Sequence, residues 1–157
     1  MTLLWHDERP IGICVFAAPA AGLRPRHRFF GLKPQTDPLY LKRLNEQLWV
    51  LARVVLHPTY RGAGLAAAFV RQACQDCPVP WIETLSALGH LHPFFERAGF
   101  VRVGVVQKDR PLSPRGYARL YGNRRLTAET CRKSQYATPV YYVFDNRPGR
   151  SPDPGPA

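Results

Sequence analysis

Apolar positions in the first third of the chain fall into two short runs and one long one. Residues 3–6 and 11–17 are apolar stretches parted by the turn-forming cluster Asp7-Glu8-Arg9-Pro10, a pattern that predicts a β-hairpin. Residues 19–38 break the pattern with proline, glycine and arginine and predict a long loop with no regular element. Asp37 before Pro38 predicts the cap and first residue of a short helix to about residue 47, because proline is pre-shaped for a first helical turn and leaves no donor unpaired there. Residues 48–56, LWVLARVVL, are almost wholly apolar and rich in β-branched side chains, which predicts a strand buried on both faces and stopped by Pro58. Leu65, Ala68, Phe69 and Ala73 then recur at helical spacing until Cys77-Pro78 ends them. Residues 81–88 predict a second buried strand, 93–98 a short helix closed by Gly99, 101–107 a third strand and 140–144 the last. Proline and arginine from residue 145 onward predict a disordered tail.

Strands alternating with helices place the chain in the α/β class. At 157 residues it has material for one core. One domain over residues 1–144 is expected, with 18–47 as an arginine- and proline-rich insert and 145–157 as the tail. Lys and Arg number 22 against 11 Asp and Glu, and 18 of the 22 are arginine, so the net charge of +11 points to an acidic partner. No apolar run approaches the roughly 20 residues of a membrane span, and MTLLWHDERP lacks the basic and apolar regions of a signal peptide. With only Cys14, Cys74, Cys77 and Cys131, too few and too scattered for a disulfide framework, the expectation is a cytoplasmic protein with no membrane contact.

Between the strand at 48–56 and the helix that follows lies Thr59-Tyr60-Arg61-Gly62-Ala63-Gly64. A glycine turn there leaves backbone N–H groups unpaired at the positive end of the helix dipole, and glycine lets a phosphate approach closely while Arg61 adds a charge. A tight left-handed turn would demand the same glycines with no ligand at all. Neither nucleotide loop fits, since the chain has no Gly-Lys-Ser/Thr ending and no third glycine of a dinucleotide fingerprint.

The stretch His57-Pro58-Thr59-Tyr60-Arg61-Gly62-Ala63-Gly64-Leu65-Ala66 closely resembles motif A of the GNAT (GCN5-related) N-acetyltransferase superfamily, whose Arg/Gln-x-x-Gly-x-Gly/Ala pattern is filled by Arg61, Gly64 and Ala66. Further on, Pro93-Phe94-Phe95-Glu96-Arg97-Ala98-Gly99-Phe100 is similar to that family's aromatic-aromatic-Glu-Lys-x-Gly-Phe signature. Within the superfamily the two segments look most like the domains fused to ABC-type ATPases or carried by phages. The resemblance covers about residues 48–104 and implies a GNAT-like mixed sheet flanked by helices, without the family's first strand and first helical pair. It also implies an acyl-CoA site, with acetyl-CoA or another acyl-CoA as cosubstrate and no metal. The backbone of Arg61, Gly62, Ala63, Gly64, Leu65 and Ala66 would hold the pyrophosphate, and the strand through Val54 and Leu56 would pair with the pantetheine arm. The thioester would sit where the strands at 48–56 and 81–88 splay, and an amine would attack it directly.

Where the family often places an acidic tyrosine, this chain has Phe95. His90 and His92 are candidate proton carriers, an imidazole being suited to either role, and each could equally be a surface or capping histidine. Glu83 is a candidate base through water or else a solvated strand-end charge, and Glu46 is a weaker candidate of the same kind. Ser86 and Thr84 could orient substrate or fill polar gaps, while His57 reads as a strand terminator. Cys74-x-x-Cys77 with His90-x-His92 resembles a zinc set, but the helix would hold the two pairs far apart, and no metal is expected. The 20–47 stretch is a candidate replacement for the missing acceptor wall.

Residues 97–133 carry ten basic and two acidic residues, with Tyr117, Tyr121 and Tyr136 lying in and just beyond this stretch among Arg115, Arg119, Arg124 and Arg125. That suits phosphate contacts with base stacking, or simply a solvated basic face. Two functions follow: an acyl-CoA-dependent N-acyltransferase, monomeric or homodimeric, whose amine acceptor is a nucleic acid, a small molecule or a protein; or a nucleic-acid-binding module that keeps the fold without transfer.

Overall fold

The computed structural model describes residues 1–33, 36–106 and 138–149. The chain opens with the expected hairpin of β1 (Thr2–His6) and β2 (Arg9–Ala17), turning at Asp7 with φ 53°. Two helices follow, α1 (Arg24–Phe29) and α2 (Pro38–Glu46), the second capped as expected by the Asp37 carboxylate, which accepts from the Leu39 N–H at 2.9 Å. Next come β3 (Leu48–Leu56), a 3-10 turn at Pro58–Tyr60 and α3 (Leu65–Gln75). The chain continues through β4 (Trp81–Ser86), a 3-10 turn at Ala87–His90, α4 (Phe94–Arg97), β5 (Val101–Val105) and β6 (Val140–Asp145). The strands form one sheet in the order β1-β2-β3-β4-β6-β5, antiparallel throughout except for the parallel β3–β4 pair.

Strand side chains alternate between faces, and that alternation decides what each helix covers. Ile82 of β4 and Val140, Tyr142 and Phe144 of β6 point one way, into a core with Phe69, Val70, Ala73 and Cys74 of α3 and with Phe95, Ala98 and Phe100 of and after α4. Glu83, Tyr141 and Val143 point the other way and are buried too. Their cover is α1, whose Phe29 and Phe30 rings meet Trp81 edge to face at 5.8 and 5.1 Å.

Several sequence expectations change here. The 19–38 stretch holds a helix, because Pro25 falls in the first turn of α1, where no N–H is needed. The strands expected at 81–88 and 101–107 end at Ser86 and Val105. β6 runs one residue into the expected tail, and Asn146 Nδ2 donates to the Cys77 and Val79 carbonyls at 2.9 and 3.1 Å, tying Asn146 to the fold. β3 is not buried on both faces: Leu48, Leu51 and Leu56 are, while Ala52, Arg53 and Val55 are exposed. Among the described residues, no helix is long and apolar enough to cross a membrane.

Candidate active site

β3 and β4 pair over three rungs only, Leu48 with Trp81, Trp49 with Ile82 and Val50 with Glu83. Beyond them β3 stays with β2 and β4 stays with β6, so the two parallel strands part. Thr84 marks the mouth of the gap, its hydroxyl donating to the Leu51 carbonyl at 2.9 Å in place of a strand partner. The loss of β4 explains the exposed upper half of β3, and Val55 and Leu85 on the parting halves are 42% and 45% exposed.

At the open end of the gap the chain leaves β3 through His57, whose Nδ1 accepts from the Thr59 N–H at 3.4 Å. Arg61 Nε donates to the Leu56 carbonyl at 3.0 Å and closes the strand end. Gly62 and Gly64 take φ +86° and +77°, a left-handed backbone costly for other residues. A Cβ at either position would meet nothing within 4 Å, so the turn is open above both. Gly64 caps the eleven-residue α3 with no side chain on its first-turn donors. Unclaimed N–H groups, the helix dipole and open space together fit a pyrophosphate.

Beneath the mouth, on the face covered by α1, lies a buried ionic cluster. Arg26, 1% exposed, donates from Nε and Nη2 to the Glu83 carboxylate at 2.9 and 2.5 Å, and from Nη1 to the Ala20 carbonyl at 2.7 Å and to Asn45 Oδ1 at 2.9 Å. The Tyr141 hydroxyl donates to Glu83 at 2.7 Å. Burial alone would lower the Arg26 pKa, but the hydrogen bonds and charge of Glu83 outweigh it and hold the guanidinium above its ordinary value. Burial, then Glu83, push the Tyr141 phenol up.

Glu83 is therefore not a solvated strand-end charge: it is 4% exposed and both oxygens are engaged by Arg26 and Tyr141. Ser86, His90 and His92 lie in the segment that leaves β4. Ser86 Oγ accepts from the Leu88 N–H at 3.2 Å and caps the 3-10 turn. His90 Nε2 donates to the Thr138 carbonyl at 2.7 Å, and His92 is exposed. Phe95 is buried against Phe100 and Tyr142 and carries no proton to give. Val54 and Leu56 pair with Cys14 and Gly12 of β2. Cys74 is buried in the core, and among the described residues no group of three or more His, Cys, Asp or Glu is placed to hold a metal. Arg115, Arg119, Arg124 and Arg125, with Tyr117, Tyr121 and Tyr136, lie outside the described residues.

Sequence reasoning missed Arg26, Asn45 and Tyr141. Arg26 is one of three arginines in RPRHRF and nothing local distinguishes it, while Tyr141 stands in an apolar strand. The insert they anchor forms one wall of a pocket of about 920 Å3 at the other end of β3, lined by Phe16 and Trp49 and by Leu41, Lys42, Asn45 and Glu46 of α2.

The chain superposes on AAC(6')-Ib, solved in complex with paromomycin and acetyl-CoA, with a TM-score of 0.50 and 19% identity over 95% of this chain and 67% of that one. Weaker likenesses extend to an acetyltransferase of Corynebacterium glutamicum related to histone acetyltransferase (TM-score 0.46, 14% identity, 92% and 62% covered) and to a Bacillus subtilis acetyltransferase solved with CoA (0.47, 14%, 90% and 72%). No protein-family model and no curated protein matches the sequence. At these identities the likeness is one of fold.

Proposed function

We propose that this chain, which has the GNAT acetyltransferase fold, is an acyl-CoA-dependent N-acyltransferase that uses acetyl-CoA. The observation that carries the reading is the parting of β3 and β4 directly below an open glycine turn and a helix N-terminus, a slot and an anion cradle in line. In this reading the backbone of Arg61, Gly62, Ala63, Gly64, Leu65 and Ala66 holds the pyrophosphate. The edge of β3 that faces away from β2, at Val54 and Leu56, offers hydrogen bonds to the amides of the pantetheine arm beside the Leu56 carbonyl that Arg61 holds. When bound, acetyl-CoA supplies an activated acyl thioester. An amine attacking that carbonyl forms a C–N bond as the C–S bond breaks, losing one proton while the departing sulfur gains one.

With Glu83 engaged, proton transfer falls to the segment after β4. His92 is exposed; its backbone is bonded to Leu88 and Phe94, and its imidazole makes no hydrogen bond to a described residue. His90, holding Thr138 through Nε2–H, keeps Nδ1 as an acceptor when neutral, and Ser86 orients substrate. A nucleic acid or modified base as acceptor is a second reading, favoured by the net charge of +11 and the ten basic residues of 97–133. The test mixes the full chain with acetyl-CoA and separate amine and oligonucleotide acceptors and reads free thiol. Acceptor-dependent release that falls at least tenfold in the His92→Ala variant supports the reading. No release with any acceptor leaves a binding module instead.

A further inference from the structure

The pocket at the start of β3 lies at the opposite end of that strand from the glycine turn, and its chemistry is specific. Its inner side is aromatic, Phe16 and Trp49 with ring centroids 6.2 Å apart. Its outer wall is α2, which presents Leu41 and, at its last residue, the carboxylate of Glu46. The Glu46 carboxylate makes no hydrogen bond or ion pair with a described residue, although Lys42 stands one turn away on the same helix. The position of this wall is fixed from beneath: Asn45 accepts from Arg26 and donates to the Ala21 carbonyl at 3.0 Å, so the buried Arg26–Glu83 pair ties the pocket to the last β3–β4 rung. Trp49 lies two residues along β3 from Leu51, about 7 Å at the rise of a strand, where the gap for the thioester begins.

We infer that this pocket is the acceptor site and that it takes a primary amine with an apolar, preferably aromatic, body, whose ammonium is recognised by Glu46. The assignment rests on the N-acyltransferase reading for the purpose of the site, but the pocket's chemistry stands apart from it. An apolar body buries against Phe16, Leu41 and Trp49, and an aromatic ring beside a cation adds a further attraction. Among the described residues that line this space, Glu46 carries the negative charge and Lys42, one turn earlier on α2, a positive one, so the ammonium is drawn to the Glu46 end of the wall. Arg26 is a positioning residue here, acting through Asn45 and α2.

The experiment uses phenethylamine as the probe. Its binding to the full chain is followed by calorimetry in the presence of CoA, and transfer is followed separately with acetyl-CoA. The expected result is saturable binding that Glu46→Gln weakens at least tenfold, with acetyl-CoA binding unchanged, and in turnover a rise in KM of similar size with kcat within about twofold. Because Glu46 is exposed at a helix end, the variant folds, and an unchanged melting curve verifies it. Absence of saturable amine binding, or equal binding by Glu46→Gln, overturns the assignment whether or not acetyl-CoA binds. Transfer to an oligonucleotide or to spermidine but not to phenethylamine overturns it too. Amine binding that depends on Glu46 without any transfer upholds the pocket and removes the N-acyltransferase reading.

Discussion

Replacing Arg26 by methionine removes the guanidinium and leaves an unbranched apolar chain in the same buried space. Glu83, 4% exposed, would then keep only the Tyr141 hydroxyl, while Asn45 Oδ1 and the Ala20 carbonyl each lose a donor. Breaking a buried ion pair from one side costs about 3–5 kcal/mol, because the partner's charge stays buried and uncompensated. Against a total stability of about 5–15 kcal/mol this is a large fraction, and for a chain of this length it lowers Tm by about 6–20 °C. Urea denaturation followed by circular dichroism measures it, the slope of the transition showing whether the folded state stays compact. The double variant Arg26→Met with Glu83→Leu should regain most of the loss, since two apolar side chains replace a pair whose desolvation nearly cancels its attraction. A single variant that loses less than about 1 kcal/mol, or a double variant no more stable than the single, would refute the view that this pair fastens the insert to the sheet.

Tyr141 carries a pH dependence of defined sign: its phenol is held above its ordinary value, so the neutral form stabilises the fold fully below about pH 10 and that contribution is lost as pH rises through the folded value. Thermal melts of Tyr141→Phe should lose less stability above about pH 10 than the unaltered chain. Burial pushes the Cys14 thiol up to about 12, so in the native protein at pH 8 iodoacetamide should leave Cys14 unlabelled and urea should expose it, as peptide mapping would show. If nucleic acid is bound, its affinity should fall steeply with salt, and Arg124→Ala with Arg125→Ala should reduce the slope of log K against log salt by up to about 2; a flat salt response removes the nucleic-acid reading.

Features that demand particular residue types were legible in the sequence. The left-handed backbone at Gly62 and Gly64 needs glycine, Asp37 caps a helix that Pro38 starts, and the apolar spacing from Leu65 to Ala73 matches the span of α3, although Leu65 and Ala68 are exposed and Val70 and Cys74 share the buried face with Phe69 and Ala73. Features that arise between distant segments were not. The apolar run of β3 reads as buried on both faces, yet its upper half is uncovered because β4 turns away after Glu83, an event no residue of β3 records. Glu83 reads as a strand-end charge, because strand alternation assigns it a face without revealing that Arg26, 57 residues earlier, covers that face. The helix α1 was hidden by its own proline, which breaks a helix anywhere but in the first turn.

The most direct measurement is a calorimetric titration of the full chain with acetyl-CoA beside a Gly64→Glu variant. Glutamate there would place bulk and like charge in the open space above the turn and strain a backbone at φ +77°. One saturable site in the intact chain, lost in a variant that still melts cooperatively, is the predicted result. No binding by the intact chain, or equal binding by both, would contradict the coenzyme site and with it the proposed transfer.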